Sequence, residues 1–205
     1  MRNTAEEAAR TREKILRAAL QRFASEGWNG TSFVGVAEQA GVTRGAVHHH
    51  FTDKTALLHA ALSQAWQDHP APAFAQLQAE GTDPRERLVA FVAGYLDALR
   101  EDPQFRTLAV VSTIVAPQST GEAGEQGGLP EKQVALSGWS EQIRHVLKEL
   151  SAQEPLALDL DTAVFLIAST TYGVTVSAAL GETPLPDSAQ SRALAERLLR
   201  TVTAA

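Results

Sequence analysis

Residues 31–58 read TSFVGVAEQAGVTRGAVHHHFTDKTALL, and this stretch decides how the chain folds. Thr31 and Ser32 are short hydroxyl residues of the kind that cap helix starts, accepting from backbone N–H groups that lack intrahelical partners. Behind them Phe33, Val34, Val36, Ala37 and Ala40 supply the apolar content of a short helix. Gly41 ends it, because the residue just past a helix often enters the left-handed region, where glycine meets no Cβ penalty. Val42 supplies a buried contact, and Thr43 caps a second helix over residues 44–50. Two short helices joined by a glycine-containing turn of about 3–4 residues make a helix-turn-helix. Val47 and Phe51 face its core, which leaves Arg44, His48 and His49 pointing outward. The small residues Gly45 and Ala46 let the second helix approach a neighbouring surface, or a DNA backbone, closely.

Outward from this unit the pattern stays helical, and no stretch alternates apolar and polar residues for long. Ile15, Leu16, Ala19, Leu20 and Phe23 share one face of a helix from about residue 6 to residue 26. Leu88, Phe91, Val92, Tyr95, Leu96 and Leu99 repeat the spacing after Asp83-Pro84, a cap followed by proline in the first turn. Leu136, Trp139, Ile143, Val146, Leu147 and Leu150 repeat it after Pro130, and Leu194, Leu198, Leu199 and Val202 mark a final helix. The fold class is therefore all-α. Residues 117–130 (PQSTGEAGEQGGLP), with four glycines and two prolines, read as a loop. Residues 162–181 contain no charge. Their length suits a membrane span, but Ser169, Thr170, Thr171, Tyr172, Thr175 and Ser177 make them too polar, and the preferred reading is a helix buried on more than one side.

The 205 residues include 24 acidic and 18 basic side chains, a net charge of -6 that on its face argues against nucleic acid. Division by module reverses this. The first sixty residues hold 8 Lys/Arg against 6 Asp/Glu and four of the six histidines; the rest holds 10 against 18. A mildly basic head thus precedes an acidic body. With no cysteine there is no disulfide, no thiolate metal site and no thiol nucleophile or redox sensor. The N-terminal residues lack the apolar core of a signal peptide, so the expected location is the cytoplasm. No G-x-S-x-G, H-E-x-x-H or phosphate loop is present, which points away from an enzyme. His48, His49 and His50 are not read as a metal site, since adjacent helical positions point about 100° apart. No cofactor is expected.

The run at residues 31–58, with FASEGWNGT before it, strongly resembles the TetR family of transcriptional repressors. The likeness is specific over about residues 15–62; the remainder is similar to the multidrug-responsive, AcrR-like branch in helix layout and length. One departure is His48, where the family usually carries a phosphate-contacting tyrosine. The resemblance implies an N-terminal three-helix DNA-binding domain over residues 1–52, a linking helix over 53–70, and a helical ligand-binding and dimerisation domain over 71–205.

Residue chemistry assigns the DNA contacts. A helix-turn-helix places the start of its second helix in the major groove, where Arg44 can donate two hydrogen bonds to a guanine edge, worth about 1–3 kcal/mol of discrimination. Thr31, Ser32, Thr43, His48, His50 and Lys54 are candidate phosphate contacts, His49 lies on the same outward side, and by resemblance Gly45 lets the backbone come near. In the body, aromatics are scarce, and the family architecture implies that three helices surround a ligand. Leu88, Phe91, Tyr95, Leu136, Trp139, Ile143 and Tyr172 are its candidate lining, with Phe165 on the uncharged helix and Trp66 and His69 below. Plain core packing produces the same stripes, and the residues leave both readings open. A lining almost without charge suits a small, mostly neutral aromatic or hydrophobic effector. Helices over residues 160–180 and 187–202 are expected to pair with their copies, giving a homodimer that holds two recognition helices on a palindromic double-stranded operator. An activator or a ligand-independent regulator with the same head is the alternative, and an enzyme with an incidental helix-turn-helix the remote one.

Overall fold

The computed structural model describes residues 2–69, 72–121, 130–181 and 184–204, without side chains at 2–4, 120–121 and 130–138. These residues form helices and turns with no strand among them; one isolated bridge joins Leu156 to Thr203. The chain divides into two compact units. One comprises residues 1–69 with 107–129, the other 70–106 with 130–205.

In the first unit, α1 (Arg2–Gly30) is helical to Glu26 and then breaks at Gly27, whose φ of 69° lies in the left-handed region that glycine tolerates. Ile15, Leu16, Ala19 and Phe23 face inward from α1, and all four are buried. They meet Val36 and Ala37 of α2 (Phe33–Ala40), Val47 of α3 (Arg44–His50) and Leu57, Leu58 and Ala61 of α4 (Lys54–Asp68). Each short helix is fixed at its start by the preceding side chain. Ser32 accepts from Gly35 N–H at 3.2 Å, Thr43 from Ala46 N–H at 3.1 Å and Asp53 from Ala56 N–H at 2.7 Å. A cap of this kind contributes about 1 kcal/mol, which matters for helices too short to be stable alone. Gly41 closes α2 with φ 67° and donates to the Ala37 and Glu38 carbonyls, as its type predicts.

The expected boundary at residue 71 does not capture a returning segment. Helix α7 (Pro103–Val110) runs on through a π turn at Val111–Val115 and a 3-10 turn at Ala116–Gly121. Val111, Val115 and Ala116 join the core of the first unit, and Trp66 of α4 donates to Ser112 Oγ at 3.2 Å. Residues 117–121 of the expected loop are thus a 3-10 turn, and 122–129 lie outside the described residues.

The second unit is built around α6 (Pro84–Glu101), which packs against α5 (Pro72–Leu77), α8 (Pro130–Ser151), α9 (Leu160–Leu180) and α10 (Ser188–Val202). Being central, α6 buries residues nearly all round. The surface helix α10 buries Ser191, Ala195, Leu199 and Val202, a stripe three or four residues apart, and starts in a capping box between Asp187 and Gln190. Helix α9 corrects one expectation. Ala163, Val164, Ile167, Thr171 and Thr175 are buried, but Phe165, Val176 and Leu180 stand 71%, 40% and 64% exposed. The protomer buries α9 on one side only.

Candidate nucleic-acid interface and effector core

In the first unit most of the candidate contact residues lie on α3 or at its start. Val47 and Phe51 are driven inward, and Thr43, Arg44, Gly45, His48 and His49 are exposed. Arg44 Nε donates to His48 Nε2 at 3.3 Å, and the His48 ring leans on Phe33 of α2 with centroids 4.7 Å apart. A Cβ added at Gly45 would meet nothing closer than Thr43 Oγ1 at 3.8 Å. Nothing inside the protein therefore requires glycine there. His49 and His50 meet edge to face at 5.4 Å, and His50 is half-buried. Burial first, then the neighbouring His49 and Arg12, hold the His50 imidazole below its ordinary pKa, so its charged form is disfavoured.

Two candidate phosphate contacts are redirected. Thr31 is buried, and its hydroxyl donates to the Gly27 carbonyl at 2.8 Å, so it braces the kink after α1 while Ser32 alone caps α2 and stays exposed. Lys54 Nζ donates to the Trp28 carbonyl at 2.8 Å and sits 4.3 Å from the centroid of the Trp28 ring, itself stacked on Phe23. Its ammonium is tied to α1 by a hydrogen bond and a cation–π contact. Arg12 was missing from the candidates. Its guanidinium lies 5.6 Å from the Phe51 ring centroid and beside His50, which places a permanent positive charge at the end of α3.

In the second unit, Leu88, Phe91, Tyr95 and Ile143 are each at most 2% exposed, whereas Trp139 and Tyr172 are half-buried. The side chain of Leu136 lies outside the described residues. Phe74 of α5 organises this group. Its ring stacks on Trp139 at 4.2 Å and lies 5.5 Å from Phe91 and 6.1 Å from Tyr95. Phe105 adds an edge contact to Tyr95 at 5.3 Å. The Tyr95 hydroxyl pairs with Thr175 Oγ1 at 2.6 Å, and burial pushes its pKa up to about 12 despite that hydrogen bond. Leu88, Phe91, Tyr95 and Ile143 are thus buried within this aromatic cluster, and Trp139 and Tyr172 lie at its half-buried edge. A separate cleft of about 590 Å³ is lined by none of the seven candidates; Glu80, Arg87, Glu141, Gln142, His145 and Glu149 give it a polar, charged character.

Residues 15–61 match the family model of bacterial regulatory proteins of the tetR family. The transcriptional regulator SrpR of Pseudomonas putida is 32% identical over 169 residues, which cover 80% of this chain and 72% of SrpR. The chain belongs to the TetR family. Its relatives are DNA-binding transcriptional regulators and not enzymes. The regulator TtgR, also of Pseudomonas putida, is 39% identical over 84 residues, a match of 41% of this chain and only 40% of TtgR. Among solved structures, FadR from Bacillus subtilis in complex with stearoyl-CoA has a TM-score of 0.71 at 19% identity, covering 93% of this chain and 98% of FadR. NalD, the secondary repressor of the MexAB-OprM multidrug efflux pump in Pseudomonas aeruginosa, has a TM-score of 0.71 at 20% identity, covering 97% and 98%. At those identities the likeness is one of fold. In this TetR-family regulator the exposed α3 face and the aromatic cluster are the regions that hold the candidate contact residues.

Proposed function

We propose that the protein is a cytoplasmic homodimeric repressor whose two α3 helices read the half-sites of a palindromic operator, and that a small, mostly neutral aromatic or hydrophobic molecule releases it. The observation that carries the reading is α3 itself: Val47 and Phe51 anchor it, and Arg44 is exposed at its N-terminal turn. Thr43, Gly45, His48 and His49 share the exposed side, Ser32 adds a hydroxyl, and Arg12 adds charge. Pairing through α9 and α10 is supported by the uncovered Phe165, Val176 and Leu180, an apolar face that water leaves costly and a second copy would cover. The same face accounts for a helix apolar enough by length and composition to cross a membrane, without any membrane role. For the effector, the core around Phe74, Trp139, Phe91 and Tyr95 offers ring faces and one hydroxyl pair and no charge. An aromatic molecule enters it by moving Phe74 off Trp139. Release follows if the effector favours a state that cannot hold both half-sites, and swinging occupancy from 99:1 to 1:99 takes about 5.5 kcal/mol of differential binding. The test is transcript measurement with the gene deleted. Repression predicts a rise in the regulated transcript, and a fall would make the protein an activator.

A further inference from the structure

The three consecutive histidines include one that does more than face solvent. We infer that His48 is a positioning residue for sequence reading: it holds Arg44 by Nε, so that the guanidinium meets the base edge with its two terminal nitrogens. The hydrogen bond from Arg44 Nε to His48 Nε2 spans one helical turn at 3.3 Å, and the imidazole is braced against Phe33, a residue of the other helix of the motif. Arginine has five N–H donors in a rigid fork. With Nε committed to His48, the side-on presentation through Nε and one Nη is removed, and the end-on presentation through both Nη groups remains. The constraint also lowers the side-chain freedom that an exposed arginine loses on binding. For this role Nε2 must be the accepting nitrogen, with the ring proton on Nδ1. The inference rests on Arg44 as the base-reading side chain and adds the residue that sets its geometry.

The experiment is a double-mutant cycle on the full-length protein. Affinity is measured for a duplex that the wild type enriches from a randomised library and for a scrambled duplex, and the ratio is the readout. Arg44→Ala is expected to lower the ratio roughly tenfold and His48→Phe severalfold, while His48→Phe in the Arg44→Ala background changes nothing further. His48→Gln, whose side-chain oxygen accepts where Nε2 did, should recover most of the ratio. His48→Ala serves as a second variant without an acceptor and should match His48→Phe. Additive losses, or a His48→Gln protein as impaired as the other two, overturn the positioning role and leave base reading by Arg44 standing. An Arg44→Ala protein with undiminished discrimination overturns both.

Discussion

Helices α3 and α9 each keep a face that the protomer leaves uncovered, and the two faces differ in chemistry. On α3 the exposed residues are Thr43, Arg44, Gly45, His48 and His49; on α9 they include Phe165, Val176 and Leu180. A polar face with one long donor fork suits a partner rich in phosphates and base edges, whereas an apolar face suits another apolar surface. Exposure alone therefore does not mark a site. What the exposed atoms can do with water removed decides the partner.

The sharpest way to break this contrast is to put charge on the apolar face. Phe165→Glu is expected to leave a monomer at micromolar concentration by light scattering and to weaken binding to the enriched duplex at least about a hundredfold, because two linked recognition helices gain effective concentration from each other. A dimer that survives the substitution would remove α9 from the interface. Next in size is Arg44→Ala, expected to cost about 1–3 kcal/mol of discrimination between the enriched and a scrambled duplex with oligomeric state and melting temperature unchanged. Gly45→Ala separates fold from contact in a different way. Its helical position and empty surroundings predict stability equal to wild type or higher by up to about 1 kcal/mol, yet DNA affinity lower by roughly tenfold if a backbone must approach there. Unchanged affinity would show that α3 does not come so close. Salt should divide the two faces as well: duplex affinity is expected to fall steeply as salt rises, and a dimer held by apolar contact is not expected to loosen.

The smallest expected effect is one of pH. His50 is held below its ordinary pKa of 6.5, so the unfolded chain binds that proton before the folded one does. Its contribution therefore weakens folding as pH falls below about 6.5, and His50→Gln should flatten that part of a melting-temperature profile. A steeper profile in the variant would refute the assignment.

Local features were legible in the residues and long-range ones were not. Ser32, Gly41, Thr43 and Asp83 act on groups within a few positions, so residue type and order suffice to read them. Lys54 belongs to Trp28, twenty-six positions away, and nothing local distinguishes a lysine aimed at phosphate from one tied to an indole. Thr31 and Ser32 are equivalent as caps on paper; the kink at Gly27 decides that Thr31 turns inward. Phe74 lies on a six-residue helix too short to show a period, and so the ring that fills the aromatic core was missed. The return of Val111, Val115 and Ala116 to the first unit depends on tertiary packing that spacing does not carry. In α9 the missing charge was plain, but the exposed side emerges only once its neighbours are in place.

Base reading by a pair of α3 helices stands or falls on the selection of bound duplexes from a randomised library, run with wild type and with Arg44→Ala. The expected product is a two-fold symmetric sequence, its half-sites separated by about one helical turn or a multiple of it, with a guanine in each half that Arg44→Ala no longer selects. An asymmetric sequence, or the same guanine enriched by both proteins, would contradict it.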